Sequence, residues 1–359
     1  MTDLSADLSA AKLFMEGLTQ SPFDPQLPLN IDATQRSAFV NCPQKFFKEF
    51  VLGLRPPGLS IDLHAGACFA AALEETYRGI YCDGLSLDDA LLRAHAKFLL
   101  DWGSFEIPHW KRTSKTLDRV WTAIAGGPAA EDRGYFQEYP PHTDPVKPFL
   151  KIDGSPTMEY TFAIPLEPAI DPNGEYDPSE RPHMFPLHPS GQPFLYCGRF
   201  DMLGQHNGRP IPRDEKTTGS SIGQDWKDKW KLRSQFIGYV WALQQCGLAA
   251  TEVCVRGISI LKTKIVHAES FQPYSQELIA RWYEQLRRDM WRLRRCWDSG
   301  TWDFDFAEAC TQYGNCIFID ACSSRDGLSW LSEMEVRRWN PLEKNPAAVP
   351  DPGAAQANA

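Results

Sequence analysis

Between residues 158 and 261 the hydrophobic pattern changes period in a fixed order, and that order narrows the fold more than any other stretch of the chain. MEYTFAI (158–164), FLYCGRFDMLG (194–204) and RPIPRDEKT (209–217) carry the alternation and the branched and aromatic residues of strands. QHNG (205–208) between the last two reads as a hairpin turn. QFIGYVWALQQCG (235–247) then reads as a helix ending in glycine, and EVCVRGISIL (252–261) as another strand. Upstream, HAGACFAAALEETYRGI (64–80) predicts a helix that is small and apolar until Glu74 and Glu75, so it should be largely buried. Helix, three strands, helix, strand predicts an α/β fold, a mixed central sheet flanked by helices.

The rest of the chain frames that core. From Thr34, TQRSAFVNCPQKFFKEFVLGL predicts two short helices broken at Cys42-Pro43, and residues 86–125 read as two amphipathic helices within a helical insertion of about 81–157. The connector 165–193 contains eight prolines and reads as a surface excursion. Residues 1–30 are expected to be a flexible N-terminal segment and 341–359 a disordered tail, leaving one domain over 31–340. At 359 residues the chain can bury a core without disulfide or metal staples. No apolar run reaches the roughly 18 residues of a membrane helix, and MTDLSADLSA has aspartates where a signal peptide has lysines, so a cytoplasmic protein without membrane contact is expected. The balance of 37 basic against 46 acidic residues, net −9, disfavours a protein that coats polyanions by bulk charge. Nucleic-acid contact must be local.

Asp201 interrupts an apolar strand, and Asp214, Glu215 and Lys216 end its hairpin partner. Antiparallel pairing brings Asp201 near Asp214, and alternation puts Asp214 and Lys216 on one face and Glu215 on the other. Glu74 could reach the same place. Clustered carboxylates beside an ammonium suit a hard divalent cation, Mg²⁺ or Mn²⁺, with a lysine to orient water. An exposed hairpin salt bridge worth under about 1 kcal/mol is the plain alternative.

These residues, in this order, resemble the PD-(D/E)XK nuclease superfamily in its RecB-like and phage exonuclease branch. Asp201 in GRFD matches its first metal-binding aspartate, Asp214-Glu215-Lys216 its (D/E)-x-K element, and Gln235 to Tyr239 its Gln-x-x-x-Tyr helix motif. GACFAAALE (66–74) resembles the first-helix motif, whose usual histidine falls at Ala70 here; Ala70 cannot ligate, so Glu74 or water completes the shell or the site is weakened. The resemblance covers about residues 31–340 and implies a restriction-endonuclease-like αβββαβ core. It implies Mg²⁺-dependent hydrolysis of DNA phosphodiesters, as an exonuclease in phage or bacterial recombination or repair. In that scheme Asp201, Asp214 and Glu74 hold the metal, the Glu215 carbonyl is a further ligand, Lys216 positions the water, and Gln235 and Tyr239 orient Lys216 or the DNA. Partners would be DNA and a recombination, annealing or helicase protein, in the cytoplasm of a bacterial or phage-infected cell. The rival reading is a non-catalytic DNA-binding or assembly subunit that kept the fold.

Ten cysteines without a secretion signal are buried small hydrophobes, reactive thiols or metal ligands. Cys310, Cys316 and Cys322 are evenly spaced, and with Cys42 they supply four thiolates for an iron–sulfur cluster or tetrahedral zinc. One cysteine before the core and three after it also resembles RecB-like nucleases of the AddB type and the CRISPR adaptation nucleases, which implies a 4Fe-4S cluster stapling the domain ends. The gap between Cys310 and Cys316 is wider than in those proteins and leaves zinc open. Cys68, Cys82, Cys197, Cys246, Cys254 and Cys296 fall in apolar contexts and are expected in the core.

WKDKWKLR (226–233) surrounds Trp226 and Trp230 with Lys227, Lys229, Lys231 and Arg233, a pattern for phosphate contact and base stacking. Equally, the tryptophans can cap the core and the basic residues form a solvated face. On the helix 278–297, Arg281, Arg288, Arg292 and Arg295 oppose an apolar stripe and read first as solvated. His183 and His188 read as loop residues.

Overall fold

Asn207 and Gly208 both take the left-handed region, with φ of 49° and 76°. Two such residues make the hairpin turn whose twist matches its flanking strands, which is why Gly stands at the second position. The turn pairs His206 with Arg209 and runs an antiparallel ladder back to Met202 and Arg213.

The computed structural model describes residues 24–343 apart from 59, 110, 171–175, 177–178, 180–182, 307, 312–314 and 325–326. Most of the expected flexible N-terminal segment and nearly all of the expected tail therefore lie outside the described residues. In chain order the elements are β1 (Asn30–Ile31), α1 (Ala33–Asn41), α2 (Pro43–Phe46), a π-helical turn (Phe47–Val51), β2 (Leu54–Arg55) and α3 (Ile61–Tyr81). There follow α4 (Leu87–Trp102), α5 (Leu117–Ala125), α6 (Tyr135–Glu138), β3 (Lys147–Pro148), β4 (Met158–Pro165), β5 (Leu195–His206) and β6 (Arg209–Thr218). The chain continues through α7 (Gln224–Asp228), α8 (Ser234–Gln245), β7 (Glu252–Ile260), β8 (Ile265–Pro273), α9 (Gln276–Ser299), α10 (Ile319–Ser323), α11 (Gly327–Ser332) and β9 (Glu335–Val336). Among the described residues no helix is long and apolar enough to cross a membrane.

One compact unit comprises residues 59–162 and 199–282. In it β6 pairs antiparallel with β5 and parallel with β7, and β8 closes antiparallel on β7. The sheet is mixed, as expected, and α8 supplies the crossover that the parallel β6–β7 step requires. Ala65, Phe69, Ala72, Leu73 and Tyr77 recur at helical spacing along α3 and join Phe98, Val120, Ile124, Tyr135, Ile258 and Ile260 in one core. The strands β3 and β8 were not expected from the sequence.

The other unit comprises the described residues of 24–58, 163–198 and 283–343. Here β1 runs parallel with the first residues of β5, and β2 pairs antiparallel with β9. The proline-rich connector is not wholly a surface excursion: Leu166, Ala169 and Phe185 are buried, and Trp291 donates to the Met184 carbonyl at 2.8 Å.

Asp32 caps α1 by accepting from the Gln35 amide at 2.7 Å, and the Asp32 amide donates in return to Gln35 Oε1 at 2.9 Å. Burial pushes the Asp32 pKa up to about 6, against the pull of the Gln35 amide, Trp339 and Arg55. Because the folded pKa lies above the ordinary 3.8, this carboxyl favours folding fully below pH 3.8, and the contribution fades as pH rises through about 6. The gap limits the effect to about 3 kcal/mol. Asp32→Asn keeps an oxygen for the Gln35 amide without the charge, and is expected to flatten the change in urea midpoint between pH 4 and 7. The same pH slope in both proteins would remove Asp32 as its source.

Candidate active site

The β5–β6 ladder stops at Met202 and Arg213, and the candidate site lies just beyond, where the strands part. There the Asp201 carboxylate accepts from the Glu215 backbone N–H at 2.7 Å. Asp214 is 1% exposed, and Lys216 Nζ stands 2.6 Å from its Oδ1. Burial first, then Asp214 and Glu215, push Asp201 well above the usual carboxylate range. Burial raises Asp214 as well, with Lys216 pulling it back. Burial alone would lower the Lys216 ammonium, but Asp214 and Asp201 outweigh it and hold it above its ordinary value.

Two desolvated carboxylates, one of them raised further by the other, are relieved by a cation beside them, and oxygen donors suit Mg²⁺ or Mn²⁺. Among the described residues no three His, Cys, Asp or Glu side chains stand close enough to hold a metal ion by themselves. A pair still fits Mg²⁺, which commonly takes one or two carboxylates and completes its shell with water and substrate phosphate.

Glu215 points away from this pair. Its carboxylate lies 2.5 Å from Arg213 Nε and accepts from the Tyr135 hydroxyl at 2.7 Å, so any part in holding a metal falls to its backbone carbonyl. Arg213 donates to the Tyr77 hydroxyl at 3.1 Å. Arg256, opposite Glu215 on β7, donates to Asp144 at 2.8 and 2.6 Å, to Glu269 at 2.8 Å and to the Tyr135 hydroxyl at 2.9 Å. Both arginines are fully buried. Sequence reading missed this network, although an arginine in the middle of apolar CVRGISI was a visible signal: a buried guanidinium must find partners.

Gln235 donates to the Tyr239 hydroxyl at 2.8 Å, which donates to the Arg199 carbonyl at 2.6 Å. The pair, expected to orient Lys216 or the DNA, is bonded to β5 two residues before Asp201. Phe236, between them, lies beneath the Lys216 ammonium, 5.8 Å from ring centre to Nζ. Glu74 was expected among the metal ligands. It lies on α3, whose Tyr77 meets Arg213 on the Glu215 face, and the charges acting most strongly on Asp201 are Asp214, Glu215, Lys216 and Glu159. Glu159 was not foreseen; it forms an ion pair with Arg199 at 2.8 Å.

Trp226 and Trp230 correct the stacking expectation, being 7% and 5% exposed. A Cβ on Gly257 would fall 2.4 Å from the Trp226 ring, so only glycine lets the indole lie flat on β7. With the rings buried, phosphate contact by Lys227, Lys229, Lys231 and Arg233 does not extend to base stacking on these indoles. Lys229 itself stacks its ammonium 4.2 Å from the Trp230 ring centre. On α9, Arg281, Arg288 and Arg295 are exposed, as the solvated-stripe reading expects, whereas Arg292 packs over the Phe39 ring at 5.3 Å.

The four expected cysteine ligands do not assemble into a metal-holding group: among the described residues no three His, Cys, Asp or Glu side chains stand close enough, so the expected 4Fe-4S or zinc centre is not supported here. Burial raises the Cys310 thiol, followed by Cys316, Cys42 and Cys322. Cys42 is buried and accepts from the Lys45 amide at 3.4 Å, and Cys322 accepts from Lys48 Nζ at 3.2 Å. Of the other six, Cys68, Cys197, Cys254 and Cys296 are buried as expected, but Cys82 and Cys246 are exposed because each sits at a helix C-terminus.

The model of the PD-(D/E)XK nuclease superfamily matches residues 31–323, and the chain belongs to that superfamily. A crystal structure of a "Putative exonuclease" from Eubacterium rectale is similar at 12% identity and TM-score 0.41, covering 82% of this chain and 93% of that one. The crystal structure of SSO0001 is similar at 13% identity and TM-score 0.27, covering 78% and 84%. No curated protein matches.

Proposed function

We propose that this nuclease-superfamily chain is a divalent-metal-dependent DNA exonuclease of the RecB-like branch, acting in phage or bacterial recombination or repair. The observation that carries the reading is the meeting of Asp201, Asp214 and Lys216 where β5 and β6 part. Asp201 and Asp214 would hold Mg²⁺ or Mn²⁺. A cation there polarises the scissile phosphate and lowers the pKa of the attacking water. Lys216, its ammonium stabilised by both carboxylates, orients that water and screens charge on the phosphate. The Tyr239 bond to Arg199 keeps the strand carrying Asp201 in place. A domain over 31–340, a cytoplasmic setting and a helicase or annealing partner belong to the same reading.

Purified protein incubated with end-labelled DNA, with and without Mg²⁺ or Mn²⁺, tests it: metal-dependent release of mononucleotides supports the exonuclease. DNA binding without cleavage under every metal condition would favour the non-catalytic subunit, for which Ala70 in place of a histidine is the motive. Replacing Lys227, Lys229, Lys231 and Arg233 together by alanine is expected to weaken DNA binding and reduce the salt slope by roughly one per lost phosphate contact. Unchanged affinity and slope would return this stretch to the solvated face.

For the cysteines, the proposal is one metal–thiolate centre held by Cys42, Cys310, Cys316 and Cys322, with a 4Fe-4S cluster as occupant and zinc as the other. What supports it is the placement of one cysteine before the core and three evenly spaced after it, although among the described residues no three of them stand close enough to hold a metal ion.

A further inference from the structure

Three cations gather around one aromatic surface beside the candidate site. Lys216 Nζ stands 5.8 Å from the centre of the Phe236 ring, and that ring is 5.4 Å from the Trp230 ring. Lys229 Nζ lies 4.2 Å from the Trp230 ring centre and 5.6 Å from that of Trp226. Arg233 precedes Phe236 by one turn, and its carbonyl accepts from the Phe236 and Ile237 amides at 3.0 and 3.1 Å. Residues three apart share a helix face, so Arg233 is carried on the face of α8 that meets Lys216. Its charge acts on Asp214, Lys216 and Lys229 alike.

These charges are unevenly compensated. Lys216 has Asp214 at 2.6 Å, and Lys231 is taken by Asp228 at 2.8 Å. Lys229 and Arg233 make no ion pair among the described residues. Partial burial, then Arg233 and Lys216, hold the Lys229 ammonium below its ordinary value. Cations close enough to disfavour one another are stabilised by an anion placed among them. Two without counter-charges match a phosphate monoester, which carries about −1.5 to −2 at pH 7, better than a backbone diester, which carries a single charge.

We propose that Lys229 and Arg233 form a subsite for a phosphate monoester beside Lys216, an inference that rests on the nuclease reading above and gives two of the basic residues of 227–233 a task beyond general contact with the DNA backbone. Two sources present that dianion: the terminal phosphate of a DNA end, and the monophosphate of a released nucleotide. In either case Lys229 and Arg233 supply charge and N–H donors to the phosphate oxygens, and the arginine can do so with two donors at once. The buried rings of Trp230 and Phe236 keep the three cations apart on one wall, so the subsite is set before the ligand arrives.

The test measures binding of the full chain, by fluorescence anisotropy without divalent metal, to one labelled duplex whose ends carry either hydroxyl or phosphate groups. Phosphorylated ends are expected to bind about tenfold more tightly, the scale of one charge-assisted hydrogen bond. Lys229→Met and Arg233→Met should each remove most of that ratio, and Arg233→Lys should keep part of it. Arg281→Met, which removes one exposed positive charge from α9, should leave the ratio unchanged. Thymidine 5′-monophosphate and its methyl ester, a diester with one charge, then serve as competitors. Tighter binding of phosphorylated ends assigns the subsite to incoming DNA. Equal affinity for both ends, with the monophosphate displacing DNA about tenfold better than the ester, assigns it to the released nucleotide. Indifference to both differences, or a preference that survives in Lys229→Met and Arg233→Met, overturns the proposal. Adding Mg²⁺ or Mn²⁺ to the same duplexes judges the nuclease reading separately: a phosphate preference without cleavage overturns that reading and not the subsite, and cleavage without any preference overturns the subsite alone.

Discussion

Asp214→Asn is expected to lower phosphodiester cleavage about a thousandfold, the loss of roughly 4 kcal/mol of stabilisation of the reacting phosphate and water. The same variant is expected to be at least as stable as the wild type. The two expectations have one cause. Asp214 is buried beside Asp201, and both carboxylates stand above their ordinary pKa because water has been excluded, Asp201 also because the Asp214 charge is near. Such a pair costs stability in the absence of a cation, and an amide at position 214 removes the repulsion while keeping the shape. Were Asp214 and Lys216 only a structural ion pair, the substitution would destabilise the fold and leave cleavage intact. Rates on end-labelled DNA in Mg²⁺ and urea midpoints without metal separate the two cases. Lys216→Ala should also abolish turnover with DNA affinity retained. Wild-type turnover in either variant removes these residues from the site.

The parts of the fold legible in the sequence were those where local pattern and tertiary environment agree. Alternation and the Asn207-Gly208 turn located the β5–β6 hairpin, and small residues at helical spacing located α3. Asp201, Asp214 and Lys216 were legible because a charged residue in an apolar strand and a two-residue alternation require only the hairpin register to bring them together. Residues whose role depends on what packs above the sheet were not legible. Trp226 has the sequence pattern of a stacking residue, but Gly257 on β7 leaves room for its ring to be buried. Tyr239 has its hydroxyl on the Arg199 carbonyl, a contact made by the placement of α8 on β5 and invisible to spacing. The edge strand β8 escaped because His267, Glu269, Ser270 and Gln272 interrupt its apolar pattern, although Ser270 and Gln272 are buried.

The buried network behind the site carries the largest expected effect on stability. Arg256→Met is expected to cost about 3–5 kcal/mol, because removing one member of a buried ion pair leaves the other uncompensated. Asp144, 4% exposed, holds both oxygens on Arg256, and its remaining cation, Arg213, stands 3.7 Å away and is engaged with Glu215. In the wild type burial would raise Asp144, but the bonds to Arg256 outweigh it and hold the carboxyl below its ordinary value. A depressed folded pKa gives stability that is present above the ordinary 3.8 and lost as pH falls through the folded value. Without Arg256 burial wins, the folded pKa rises, and protonation relieves the variant as pH falls. The gap in urea midpoint between wild type and Arg256→Met should therefore be wider at pH 7 than at pH 4.5. Combining Arg256→Met with Asp144→Asn should restore part of the loss, since the two residues act through each other. Strictly additive losses in the double variant, or a gap that ignores pH, would show that Arg256 stabilises the sheet by its 3.8 Å stacking on Tyr139 rather than by its charge.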